Sequence, residues 1–373
     1  MTAGPWTVEA PVFRGVGLPM SLEEVTVLPP RKGEVAVRLV AGGVCHSCLH
    51  SIDGTLEGTP LPIILGDEGA GVVAAVGEGV TDLEPGDHVV LSWAPSCGSC
   101  RECMKGMPAR CMRKPAFGVL GDGETRFRKG DEAIFHYGPA TSSPYVVVPS
   151  SGAIRIDKAL PLEHAALIGC CVATGAGAVF NTARVETGQS VAVIGCGGVG
   201  LNAVHAASLA GASPIVAVDP VDLKLVAAER LGASALVTVT GDGMAEAVRA
   251  ASGGGVDVAI VAVGSCSAIE QAVAALNPGG KCVVIGAPPT GAMLSIDPHS
   301  LRGQEKMLMG CSYGSCNPPV DFPKFVEMFL SGRFNVAEMV SHRYALAEIN
   351  EAYANLAAGK DLRGLIVFDE TED

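Results

Sequence analysis

The chain has 373 residues, 48% hydrophobic and 17% charged, with 48 glycines, 24 prolines and a formal net charge of −13. At ~150 residues per domain the length predicts two to three domains, and the composition excludes a disordered or fibrous chain. The acidic balance repels polyphosphate, so no nucleic-acid partner is expected, and no apolar run approaches the ~18 residues of a membrane span.

Residues 1–16 carry charges of both signs and no apolar signal segment, so the expected location is cytoplasmic. Thirteen cysteines then need explaining, because a reducing compartment forms no disulfide framework. They cluster as Cys45 with Cys48, as Cys97, Cys100, Cys103 and Cys111, and as Cys170 with Cys171. Cys196, Cys266, Cys282, Cys311 and Cys316 lie in apolar surroundings and read as small core residues.

Up to about residue 165 the pattern is β-rich, with strands expected at 34–40, 69–76 and 88–91 between Gly and Pro turns. After about 170, apolar strands at 191–194, 215–218, 236–238, 256–263 and 281–285 alternate with helices at 198–209, 222–231 and 268–276. That alternation predicts a parallel sheet covered on both faces. Helices at 321–330 and 346–358 follow, then a strand at 364–368 that rejoins the first domain.

A strand, Val191-Ala-Val-Ile, runs into Gly195-Cys196-Gly197-Gly198-Val199-Gly200 and an Ala/Leu helix, which is G-x-G-x-x-G in its required context. The first glycine permits the turn, the second admits a pyrophosphate and the third allows close helix packing. The helix N-terminus offers N–H groups to phosphate. Asp219 closes the next strand where an acid hydrogen-bonds ribose hydroxyls, and no Arg follows in Pro220-Val221-Asp222, so NAD is expected over NADP.

Cys97, Cys100, Cys103 and Cys111 form C-x₂-C-x₂-C-x₇-C, a soft sulfur set suited to a closed structural zinc. An iron–sulfur cluster is the competing reading.

Together these features resemble the zinc-dependent medium-chain alcohol dehydrogenases, from about Glu24 to Phe368. The segments Gly123-Glu-Thr-Arg-Phe127 and Tyr145-Val-Val-Val are similar to the long dimeric subgroup that includes animal alcohol and glutathione-dependent formaldehyde dehydrogenases. The resemblance implies an α/β architecture, with a GroES-like β-rich catalytic domain (1–171, zinc lobe about 95–113), a doubly wound Rossmann domain (172–307) and a C-terminal segment (308–373) returning to the first. It implies a homodimer acting on a small alcohol or aldehyde with NAD and zinc. Apolar strands near Leu294 and Leu308 are candidates to extend the sheet across a two-fold axis.

By the same resemblance Cys45 and Cys170 are catalytic zinc ligands, and Ser47 and His50 relay the alcohol proton. His46 and Arg363 lie near the pyrophosphate, Thr174 near the nicotinamide and Lys224 near the ribose. The chemistry fits these types, since zinc lowers the pKa of an alcohol that then releases hydride to a nicotinamide.

One departure matters. The family's G-H-E-x-x-G appears as Gly66-Asp67-Glu68-Gly69-Ala70-Gly71, so Asp67 replaces the histidine ligand. The acid that orients that histidine is replaced by Cys48. Three arrangements follow. Asp67 binds an open zinc beside Cys45 and Cys170, giving a formally more negative site and an activity optimum at higher pH. Alternatively Cys48 joins them and closes the metal, or the site holds none. Glu68 is read as a transient ligand or a neighbour of the metal. A reductase of activated C=C or C=N bonds without catalytic zinc, and a cofactor-binding protein without turnover, are the alternative functions. Gly310-Cys-Ser312-Tyr-Gly314 matches a hydrolase elbow in sequence, but it lies at the end of the expected Rossmann domain, so no esterase is expected.

Overall fold

The computed structural model describes residues 4–335 and 337–368. The chain divides into two compact units, one of residues 1–170 with 317–373 and one of residues 171–316.

In the second unit the strands Ala235–Val237, Ile215–Val218, Val191–Ile194, Val256–Val261, Leu276–Val284 and Met307–Gly310 lie side by side in that order, all parallel. This is the 3-2-1-4-5-6 order of a dinucleotide-binding sheet. Val191–Ile194 and Ile215–Val218 are buried at every position, as strands covered on both faces require. A helix at Met244–Ser252, not expected from sequence, buries only Met244, Ala245 and Val248, a stripe too short to stand out between flanking glycines.

Two expectations are corrected here. The second boundary lies at Cys316/Asn317, not 307/308, because Met307–Gly310 pairs with Leu276–Val284 as the sheet's sixth strand. Leu294 lies in a loop, so only Leu308 belongs to a strand. Of the five isolated cysteines, Cys196, Cys282 and Cys316 are buried, whereas Cys266 and Cys311 are partly exposed.

The first unit holds two sheets. The one that builds the site centres on Glu34–Gly43, which pairs antiparallel with Gly69–Val76, Tyr145–Pro149 and Gly364–Val367. Register decides what meets. Gly42 lies opposite Gly69, so the residues after the first strand, Cys45 onward, arrive beside those before the second, Asp67 and Glu68. Leu365 lies opposite Gly43, which brings Arg363 to the same end. Glycine is required at this crossing, since a Cβ on Gly43 would lie within covalent distance of the Glu68 carboxylate.

Candidate active site

Cys45 caps the helix His46–Ile52 from an extended conformation, and Cys170 follows the turn Leu167–Gly169. Their Sγ atoms are 4.0 Å apart, and the Cys170 Sγ lies 3.6 Å from Asp67 Oδ2. The three donor atoms lie within 4.8 Å of one another and all three residues are buried. Tetrahedral zinc with Zn–S of about 2.3 Å and Zn–O of about 2.0 Å separates its ligands by about 3.8 Å (S···S) and about 3.5 Å (S···O). The donors therefore fit zinc with little movement. The buried Asp67 Oδ1 has no hydrogen-bond partner among the described residues, which leaves it available to a cation.

The electrostatics agree with this reading. The Cys170 thiol hydrogen-bonds the Cys45 sulfur, and with Arg363 and Ser47 this holds Cys45 well below its ordinary range. Cys170 is pushed up by the same bond and by burial. Burial, then the charges of Cys45 and Glu68, raise Asp67 well above the carboxylate range. Without metal these directions favour a thiolate at Cys45 and a proton on each of Cys170 and Asp67.

Cys48 does not join this group. It is buried against Tyr353, whose hydroxyl hydrogen-bonds its sulfur, and burial, with the negative charge beside it at the three donors, pushes its thiol up. Glu68 also lies outside the donor group. Its carboxylate receives Arg363 Nε at 2.8 Å and the guanidinium Nη2 in a pair almost wholly buried, and its N–H donates to Thr141 Oγ1 at 3.2 Å.

Ser47 and His50 follow on the helix His46–Ile52. Ser47 supports the Cys45 thiolate through its N–H and hydroxyl. The His46 and His50 rings meet edge to face at 5.4 Å, and His50 Nδ1 is buried without a hydrogen-bond partner among the described residues.

The second cluster is Cys97, Cys100, Cys103 and Cys111. Cys100 Sγ is 3.5 Å from Cys103 Sγ and 4.0 Å from Cys111 Sγ, and N–H groups of Cys97 and Arg113 point at Cys111. The Ser99 and Cys100 N–H groups draw the Cys97 thiol down to about 6. Four sulfurs with no further position make a closed site.

In the second unit Gly195 adopts φ +90°, and a Cβ on Gly200 would lie 1.7 Å from its carbonyl oxygen. A Cβ on Gly197, by contrast, would meet nothing within 4 Å, which leaves a path for a ligand over the N-terminus of Gly198–Leu209 at Gly198, Val199 and Gly200. Asp219 accepts the N–H groups of Cys196 at 2.8 Å and Val221 at 3.0 Å, with Lys224 Nζ at 3.9 Å. Thr174 lies on the helix Cys171–Gly177. Sequence reasoning missed Tyr353 and a cavity walled by Trp93, Phe117, Tyr137 and His136. No motif marks these residues.

A strand–turn–helix fingerprint, a closed sulfur quartet and an open three-donor set define a metal-containing nucleotide-dependent dehydrogenase. Residues 31–158 match the family described as "Alcohol dehydrogenase GroES-like domain", and residues 198–331 that described as "Zinc-binding dehydrogenase". The chain belongs to the zinc-dependent medium-chain alcohol dehydrogenase family. It is an oxidoreductase of alcohols and aldehydes that uses zinc and a nicotinamide dinucleotide. It is 36% identical to the NDMA-dependent alcohol dehydrogenase of Amycolatopsis methanolica, over 96% of this chain and 98% of that one. It is 35% identical to the probable S-(hydroxymethyl)glutathione dehydrogenase 1 of Schizosaccharomyces pombe, over 96% and 97%. Among solved structures, an alcohol dehydrogenase zinc-binding domain protein from Burkholderia ambifaria matches with TM-score 0.93 and 37% identity, covering 98% of this chain and all of that one. Benzyl alcohol dehydrogenase from Acinetobacter calcoaceticus matches with TM-score 0.91 and 33% identity, over 98% and 100%.

Proposed function

We propose that the protein oxidises an alcohol, or reduces its aldehyde, with NAD and a catalytic zinc held by Cys45, Asp67 and Cys170 whose fourth position stays open. The observation that carries this reading is the fit of the three buried donors to tetrahedral spacing beside an unpartnered Asp67 oxygen. The metal supplies Lewis acidity at the alcohol oxygen, and the dinucleotide accepts hydride. Ser47 would take up the hydroxyl proton while giving its own to the ribose hydroxyl of the bound cofactor, and His50, with Nδ1 unpartnered among the described residues, is the group that passes a proton on toward solvent. Arg363, held by Glu68, and His46 provide positive charge for the pyrophosphate. Asp219 accepts ribose hydroxyls and repels a 2′-phosphate, and Lys224 steadies it. The quartet holds a structural zinc.

The same reading takes the protein as a cytoplasmic homodimer. Thirteen free cysteines suit a reducing compartment, and no single described helix is long and apolar enough to cross a membrane. The edge strand Met307–Gly310 exposes Met307 and Leu308, and among the described residues its ladder is unpaired on one side, which supports pairing with a second copy.

Metal analysis with a panel of alcohols, read as NADH formation, tests the assignment. Two zincs per chain are expected, falling to one in Asp67→Ala with loss of turnover. One zinc per wild-type chain with undiminished turnover would favour a reductase that lacks catalytic zinc.

A further inference from the structure

We propose that Thr141 is a positioning residue for the metal ligand Asp67, holding the backbone on both sides of it so that its carboxylate meets Cys45 and Cys170 at zinc spacing. This rests on the alcohol dehydrogenase reading above and adds a residue on which the geometry of its metal site depends.

The segment before Asp67 runs beside the loop that follows His136. Ile64 lies opposite His136 in a parallel pair. The pairing continues past the strands, with the Tyr137 N–H donating to Ile64 at 2.8 Å and the Ser142 N–H to Leu65 at 3.1 Å. Thr141 then makes two bonds to a single turn. Its N–H donates to the Gly66 carbonyl oxygen at 3.1 Å, and its Oγ1 accepts the Glu68 N–H at 3.2 Å. Those two groups belong to the peptide units on either side of Asp67. Peptide units are planar, so fixing both sets the φ and ψ of the residue between them and with these the direction of its Cβ. Thr141 is 1% exposed and Glu68 is fully buried, so water does not replace either bond.

The packing around Thr141 is as specific as its bonds. A Cβ on Gly66 would lie 2.6 Å from Thr141 Oγ1, one on Gly69 2.7 Å from its Cγ2 and one on Gly42 2.3 Å from its carbonyl oxygen. Glycine at all three positions leaves room for this one residue. Ala140 before it is buried and held at φ +56°, a left-handed conformation that residues other than glycine seldom adopt and that clusters at functional sites. Thr141→Val keeps the shape and removes only the acceptor. The Glu68 N–H is then buried without a partner, and the segment gains by shifting and carrying Asp67 with it. Metal would have to pull the carboxylate back into place.

The test uses the full chain with zinc at both sites, and the sulfur quartet serves as the internal reference. Zinc is withdrawn by a competing chelator and returned by titration. In Thr141→Val the Cys45–Asp67–Cys170 site should hold zinc about 10–100-fold more weakly, with the quartet unchanged. Cobalt(II) placed at the same site should show a shifted visible spectrum, which reports ligand geometry. Thr141→Ser keeps Oγ1 and should recover most of the affinity. Undiminished affinity in Thr141→Val, equal loss from both sites, or no recovery in Thr141→Ser overturns this proposal alone. Hydrogen exchange in the wild type decides the matter without a variant. With the quartet loaded and the three donors empty, the Glu68 N–H should exchange slowly, and rapid exchange there overturns the proposal. A wild type that takes no zinc at the three donors overturns the dehydrogenase reading, and this proposal with it.

Discussion

Metal binding at Cys45, Asp67 and Cys170 should release two protons, and the number follows from the three side chains. Cys45 is favoured as a thiolate by bonds from Cys170 and Ser47 and by Arg363. Cys170 and Asp67 are held above their ordinary values, which favours a proton on each. Zinc binds only the deprotonated donors. Affinity should therefore rise about 100-fold per pH unit, since each displaced proton contributes about 1.4 kcal/mol per unit. The sign is that of raised pKa values on groups that must ionise, so affinity is lost as pH falls. The measurement is calorimetric titration of protein whose quartet is already loaded, in buffers of different ionisation enthalpy, where the buffer-dependent heat counts protons. Asp67→Asn should lower the count to one. A wild-type count near zero would show that the trio is ionised before metal arrives and would refute the charge assignment.

Three further outcomes test other parts of the molecule. Asp219→Gly removes the carboxylate that meets the ribose hydroxyls, so KM for NAD should rise at least tenfold while NADP improves; an unchanged NAD-to-NADP ratio would place the ribose elsewhere. Cys103→Ser breaks the sulfur quartet, and elemental analysis should show one zinc fewer with a lower unfolding temperature, while Asp67-dependent metal stays. Glu68→Gln leaves the Arg363 guanidinium buried without its counter-charge and should cost about 3–5 kcal/mol of stability. Glu68→Gln with Arg363→Met should recover most of that loss in denaturant unfolding.

The second unit was the more legible in sequence because continuous apolar strands and a glycine fingerprint are local signals. The strands Val191–Ile194 and Ile215–Val218 and the helix Gly198–Leu209 fall where periodicity and turn residues put them. The boundary falls beyond residue 307 because Met307–Gly310 joins its sheet through a neighbour some thirty residues earlier, a pairing no local pattern records. The donors could be named from motifs, yet what brings them together is the register of Gly42 opposite Gly69. Spacing alone also made Cys48 a plausible ligand, since Cys45-x₂-Cys48 suits zinc. The structure turns Cys48 onto Tyr353, three hundred residues away in sequence and so invisible to spacing.

The paired change at positions 48 and 67 has a physical reason. A histidine ligand has a second ring nitrogen whose N–H requires an acceptor, normally a carboxylate. An aspartate ligand has no such N–H, and a second acid beside it would add only like-charge repulsion. A neutral thiol hydrogen-bonded to Tyr353 removes that repulsion. Asp67→His alone should therefore be poorly tolerated, because its outer N–H would face Cys48 with no carboxylate to receive it. Asp67→His with Cys48→Asp restores both partners and replaces an anionic donor by a neutral one. Ionisation of the substrate hydroxyl should then become easier, and the basic limb of the kcat profile should move down by about 1–3 pH units. The single variant should bind less metal than the double. Equal metal content in the two, or an unmoved profile in the double variant, would mean that the residue at position 48 does not answer to the ligand at 67.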